Sequence, residues 1–270
     1  MEAQRPRHLL IALCLLGTMQ GGQAASWPDH LYQASRYVAQ IQPDNNSYGS
    51  PALLSQDPAG TLFNRSKCGS FVALLLKNSY PQDITNNVLI ALTGSSSPYA
   101  DEWFAAIADE VEDPVSGLAF RRRARVADIQ PGDIMASAYE ATGDTGHALV
   151  VGEIQRLTTG TTPPFPIPGV SSVNRYQILV YDATKSIHGD YVSSTPDSRY
   201  KKQWNGTTWV ADQGLGAGYI ALYEDAASGL PVAWAWNTSK TTSSFYYAVT
   251  PPPGTSLSYR PLAFGAIAGI

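Results

Sequence analysis

The spacing of apolar residues changes character partway along this chain. From Asp29 to about Ile41, the positions Leu31, Tyr32, Ala34, Ser35, Val38 and Ile41 recur at helical intervals, with Pro28 placed for a first turn. A second and more apolar helix opens at Cys68, buries Phe71, Val72, Leu74, Leu75 and Leu76, and ends before Pro81. Asn64 or Ser66 is expected to cap it. Asp83 is expected to cap a segment reaching Leu92, and after a break at 93–98 another helix runs from about Ala100 to Val111, with Trp103, Phe104 and Ile107 on one side. Between the first two helices, residues 43–66 read as a polar loop rich in Gly and Pro.

Beyond Pro114 the period becomes two. Strands are expected over 118–126, over 134–139 after the Ile129-Gln130-Pro131-Gly132-Asp133 turn, and over 147–154 after Gly143-Asp144-Thr145-Gly146. Residues 157–172 read as a hairpin excursion before a strand over 175–182, which places Tyr176, Ile178 and Val180 on one face and Gln177, Leu179 and Tyr181 on the other. Further strands are expected at 217–223, 231–237, 244–249 and 258–264. Helices first and antiparallel strands afterwards predict an α+β fold, with 25–270 as a single domain. Residues 205–270 either complete its sheet or form a β-rich extension.

The N-terminus adds a compartment. Arg5, Arg7 and His8 precede the apolar run Leu9 to Leu16, and Gly22-Gln23-Ala24 supplies small residues, so 1–24 read as a signal peptide cleaved near Ala24. The run is too short for a bilayer span, which predicts a periplasmic or secreted protein with no stable membrane anchor. Losing Glu2, Arg5 and Arg7 takes the 18 basic and 22 acidic side chains to 16 and 21, and the net charge from −4 to −5. An acidic, sparsely charged surface argues against nucleic acid as a partner. Cleavage also removes Cys14, leaving Cys68 without a disulfide partner, and no CxxC or HExxH pattern points to a metal. No cofactor is implied, and the oligomeric state is left open.

A thiol at a helix N-terminus feels the helix dipole and unpaired N–H groups, both of which favour thiolate, and Lys67 beside it is expected to add to that field. His147 lies at the mouth of an apolar strand, where a general base can be held still, and Asp182 closes the neighbouring strand, where it can fix the imidazole. Singly, each has an ordinary reading: a small buried hydrophobe, a turn histidine, a strand-end turn residue. Jointly they specify a Cys, His, Asp triad in chain order. His188 reads either as an exposed loop histidine or as a second polar group, even an alternative third residue. Asp133 reads as a turn residue. Trp234 and Trp236 share a strand face, as core packing or a sugar-stacking platform would have them. Gly214-Leu215-Gly216-Ala217-Gly218 reads as an open turn before a strand.

The ordered set Lys67-Cys68-Gly69-Ser70-Phe71, Gln130-Pro131-Gly132-Asp133-Ile134, Thr145-Gly146-His147-Ala148-Leu149-Val150-Val151-Gly152 and Val180-Tyr181-Asp182 resembles the papain-like fold of NlpC-type bacterial cell-wall peptidases and amidases over residues 60–185. The resemblance implies Cys68 as nucleophile, His147 as general base and then acid, Asp182 as the orienting residue, and the Cys68 N–H as an oxyanion donor. Tyr48, Gly69, Gly146 and His188 are the candidate substrate contacts. The implied function is an exported cysteine hydrolase acting on amide bonds, most plausibly in peptidoglycan peptides. The alternatives are an acyltransferase of the same fold, or a non-catalytic envelope protein that binds cell-wall glycan through its aromatic C-terminal strands.

Overall fold

The computed structural model describes residues 28–139, 144–188, 197–199, 203–204, 209–210, 212–238, 245–251, 253 and 258–270. The expected signal peptide at 1–24, Gly143 and the Gly189-Asp190 pair lie outside them. The fold is α+β. Helices α1 (Asp29–Gln40), α2 (Cys68–Ser79), α3 (Asn86–Thr93) and α4 (Ala100–Ala108) carry the first half. Strands β1 (Asn46–Tyr48), β2 (Leu53–Gln56) and β3 (Leu62–Ser66) interrupt them, and β4 (Ala119–Arg122) to β13 (Leu262–Ala268) follow.

The main sheet has eight strands, ordered β12 (Phe245–Tyr247), β11 (Pro231–Ala235), β10 (Gly214–Asp225), β7 (Val173–Thr184), β6 (Gly146–Thr161), β5 (Ile134–Ala138), β13 and β4. All its pairings are antiparallel. Because β10 pairs β7 along its whole length and β13 inserts between β5 and β4, these C-terminal strands complete the sheet that carries His147 and Asp182. Among the described strands after β4, β8 (Gln203–Trp204) and β9 (Trp209–Val210) pair apart from it.

Strand alternation divides the interior. Ala136, Ala148, Val150, Tyr181 and Ala183 face the helices, where Phe71, Leu75, Leu76, Trp103 and Ile107 fill the space. The intervening residues Met135, Leu149, Val151, Tyr176, Ile178 and Val180 build a second core on the other face, joined by Ile220, Leu222, Trp234 and Phe264. The expected split of 175–182 into two faces is the observed one.

Four expectations need correction. The polar loop at 43–66 holds a small sheet of order β1-β3-β2, with β1 parallel to β3. Its inward residues include Asn64 and Ser66, which satisfy one another through Ser66 Oγ–H to Asn64 Oδ1 (2.5 Å), while Asn64 Nδ2 donates to Asn46 Oδ1 (2.8 Å). Those two residues therefore do not cap α2. Ser70 does so instead, its hydroxyl accepting from Lys67 N at 3.0 Å. In the same way Thr85, not Asp83, caps α3, with Oγ1 accepting from Val88 N (3.3 Å). The 157–172 excursion is shorter than expected, because β6 runs on to Thr161 and β7 starts at Val173.

Asn46 pins the small sheet to the large one. Its Nδ2 donates to Leu215 O (2.7 Å) and its Oδ1 accepts from Leu215 N (2.8 Å), imitating a strand neighbour for β10. This fixes β3, and through it the start of α2, against the main sheet. Asn46→Ala strands both Leu215 groups and is expected to lower unfolding stability by about 1–3 kcal/mol in urea titrations. An unchanged midpoint would mean the two sheets are held by apolar packing alone.

Candidate active site

Cys68 is the first residue of α2 and is partly exposed. The helix aims its N-terminus at the end of β6, where Sγ lies 4.0 Å from the Gly146 carbonyl oxygen. Gly146 has φ of +126°, and a Cβ there would stand 1.9 Å from Ser137 O, so only glycine allows β6 to begin this close to β5. The next residue is His147, whose side chain keeps 11 % of its exposure. Its Nε2 donates to Asp182 Oδ2 at 2.5 Å, which leaves Nδ1 for the sulfur. Register explains the meeting: Val151 pairs with Val180 and Val150 with Tyr181, so His147 and Asp182 lie diagonally across one face of β6 and β7.

The charges reinforce one another. Burial alone would push the Cys68 thiol up; the His147 charge, a hydrogen bond with its ring, and backbone bonds from Ala148 and Gly69 outweigh burial and set the thiol below its ordinary value. Burial alone would lower His147, but the Cys68 charge and the Asp182 hydrogen bond push it up to about 10. The two shifts describe one coupled object in which each group favours the charged form of the other, thiolate beside imidazolium. The helix start contributes the Gly69 N–H, whereas Lys67, exposed at the cap, is not among the leading influences.

Asp182 is completely buried and serves more partners than the triad needs. His188 Nε2 donates to the same oxygen as His147, at 2.8 Å, and Arg199 Nη1 donates to Oδ1, also at 2.8 Å. Burial would raise this carboxyl; the charges of His188 and Arg199 and the hydrogen bonds from both histidines hold it well below the usual carboxylate range. Arg199 in turn pairs with buried Asp197 at 2.6 Å, and Asp197 Oδ2 accepts from His188 N at 2.8 Å. His188 is therefore not the exposed loop histidine the sequence favours. Its ring stacks on Trp236 with centroids 5.0 Å apart, and Trp236 meets His147 edge-on at 4.9 Å. Trp234 is buried in the second core, so it offers no sugar-stacking face.

No motif or periodicity singles out Arg199 and Asp197 in the sequence, but the glycines of β10 mark their place. Gly216 sits opposite Asp182 across the ladder. A Cβ on it would come within 2.7 Å of the Arg199 side chain, and one on Gly218 within 2.6 Å of Asp197 Oδ2 and 2.8 Å of His188 Cβ. What reads as an open turn is strand, stripped of side chains where the charged residues lie on it.

Among the described residues, His147, Asp182 and His188 bring three potential metal-ligand atoms within 4.8 Å of one another. Both imidazoles donate Nε2–H to one carboxylate oxygen, and Arg199 holds the other. The group is built as donors around an anion, not as lone pairs around a cation.

The remaining candidates line a cleft of about 840 Å³ beside the sulfur: Tyr48, Gly69, Gly146 and His188. Tyr48 reaches it because β1 pairs with β3 and sets Tyr48 opposite Ser66, two residues before Cys68. Burial and then the Cys68 charge push its hydroxyl up to about 12. Gly69 is buried, with its carbonyl accepting from Trp103 Nε1 at 3.2 Å. Asp133 is the turn residue expected, accepting from Gln130 N at 2.7 Å and pairing with Arg123 at 3.2 Å.

Two outcomes follow from these charges. Asp182→Asn weakens the hold on imidazolium, so His147 loses its proton at lower pH, the thiolate loses its counter-charge, and the pH midpoint for alkylation of Cys68 by iodoacetamide moves upward. A midpoint unmoved by the substitution would contradict the coupling. Because folded Asp182 titrates below its unfolded value, the stability it contributes is complete above that value, about pH 4, and is lost as pH falls. Arg199→Met leaves two buried carboxylates without their shared cation; the expected result is about 3–5 kcal/mol lower stability near neutral pH, a deficit that narrows as pH falls and the carboxylates take up protons. Circular dichroism across a pH series reads both effects.

Compared with known proteins, the chain matches no family model, no curated protein and no solved structure.

Proposed function

We propose that this chain is an exported cysteine hydrolase of papain-like fold that cleaves amide bonds, in peptides of the peptidoglycan type, through a Cys68 thioester. The observation that carries the reading is the run of alternating contacts from Cys68 through His147 to Asp182, with the sulfur open to a cleft large enough for a peptide segment. A depressed thiol beside a raised imidazole is the charge state that acyl transfer to sulfur requires.

In this mechanism the Cys68 thiolate attacks the scissile carbonyl carbon, forming a C–S bond and placing negative charge on the carbonyl oxygen. The Cys68 N–H stands at the first position of α2, where helix geometry supplies no intrahelical acceptor, and in this mechanism it donates to that oxygen. His147 then gives its Nδ1 proton to the leaving nitrogen as the C–N bond breaks, and the thioester remains. Water attacks next; neutral His147 takes its proton, and collapse of the intermediate expels the thiolate and restores the ion pair. Asp182 keeps Nε2–H directed and stabilises each imidazolium that forms.

Incubation with purified peptidoglycan fragments, followed by mass spectrometry, tests the reading. The wild-type protein is expected to release products that have gained one water, Cys68→Ala none, and His147→Ala about 10²–10⁴-fold less. Adducts with an added amine in place of the water products would reassign the activity to acyl transfer. Equal product formation by Cys68→Ala, with the fold intact, would overturn the cysteine mechanism.

A further inference from the structure

The cleft contains a cation that the Cys68 chemistry leaves unused. Arg260 lines it together with Tyr139 and Tyr246, and its guanidinium carbon stands 3.9 Å from the ring centroid of each tyrosine. A planar cation covered on both faces keeps only its edge for hydrogen bonding, and that edge carries five N–H donors in a fork that matches a carboxylate. Among the described residues, the carboxylates in ion pairs belong to Arg123, Arg199 and the two histidines, and none to Arg260.

Holding the backbone does not need this side chain. Arg260 N donates to Tyr247 O at 2.9 Å, and Arg260 O accepts from Trp234 Nε1 at 3.0 Å, so main-chain contacts already fix the residue. Tyr139 ties the cation to the sulfur, since the Arg260 and Cys68 charges both act on its hydroxyl. The rest of the cleft shares the sign: Lys67 and Lys185 line it, against Asp144 as the carboxylate among the described lining residues.

We infer that Arg260, clamped between Tyr139 and Tyr246, is a carboxylate subsite, and that the acyl group received by Cys68 belongs to a peptide bearing a carboxylate at a fixed distance from the scissile bond. The second half rests on the hydrolase proposed above; the subsite itself does not. The clamp fixes the plane of the guanidinium before substrate arrives, so a bidentate carboxylate is bound with little ordering cost. The two tyrosines select direction, because only a carboxylate arriving in that plane meets both donors of the fork.

Alkylating probes of graded length separate these claims. N-iodoacetylglycine, N-iodoacetyl-β-alanine and N-iodoacetyl-γ-aminobutyrate are compared with their carboxamides for the rate at which Cys68 displaces iodide, read by intact-protein mass spectrometry. At one chain length the carboxylate is expected to react about tenfold or more faster than its carboxamide. That ratio should fall to about one in Arg260→Gln and to an intermediate value in Arg260→Lys, which keeps the charge and loses the fork; thermal melting checks that both variants fold. Ratios near one at every length in the wild-type protein would overturn the subsite, as would a preference that survives Arg260→Gln. Failure of the hydrolase has a different signature: iodoacetamide itself then reacts at the rate of a free thiol, while the ratio between paired probes still reports on Arg260.

Discussion

The structure around the cleft depends on one buried carboxylate. Asp182 lies in a chain of alternating charge that runs Cys68, His147, Asp182, Arg199, Asp197, each member beside a neighbour of opposite sign. An isolated carboxylate at this depth would cost several kcal/mol and would take up a proton instead. Here it is surrounded by two imidazole donors and a guanidinium, so it stays ionised and can in turn hold an imidazolium next to a sulfur. Removing the anion from the middle would release every group on either side.

The backbone is shaped to make that chain possible. The first helix-facing core sets the depth of α2 through Phe71, Leu75 and Leu76, and Asn46 ties the small sheet that feeds into Cys68 to β10. On the other side, β10 gives up side chains at Gly216 and Gly218 so that Arg199, Asp197 and His188 can lie on it. Trp236, on the wall of the cleft, packs its ring against both imidazoles, stacked on His188 and edge-on to His147. Packing and electrostatics act on the same atoms: the desolvation that would penalise each charge alone strengthens each pair.

Much of this was legible in the residue pattern, and the rest was hidden for identifiable reasons. The helix of Cys68 follows from the spacing of Phe71, Val72, Leu75 and Leu76, and the side of β7 that carries Asp182 follows from Tyr176, Ile178 and Val180, because burial imposes those periods directly. The sheet within 43–66 escaped notice because its buried positions include Asn64 and Ser66, polar residues that satisfy each other instead of advertising a core. Arg199 and Asp197 carry no sequence signal; pairing with each other and with Asp182 is what lets them be buried, and no local pattern encodes a pairing across β10. For the same reason the sequence leaves His188 open between a loop histidine and a polar group of the cleft, and its bond to Asp182 decides for the second. Arg260 has no local signal because the two tyrosines on its faces are distant from one another in sequence.

If Cys68 and His147 form an ion pair sustained by Asp182, its most direct signature is the charge on one imidazole. Heteronuclear NMR of selectively labelled histidine, with His147 assigned by substitution, follows its ring nitrogens through a pH titration. The account predicts an imidazolium that persists through neutral pH and deprotonates only near pH 10, with a much lower titration point once Cys68 is alkylated and its charge removed. A His147 ring that is neutral at pH 7, titrates near the ordinary value of about 6.5 and ignores alkylation would contradict it.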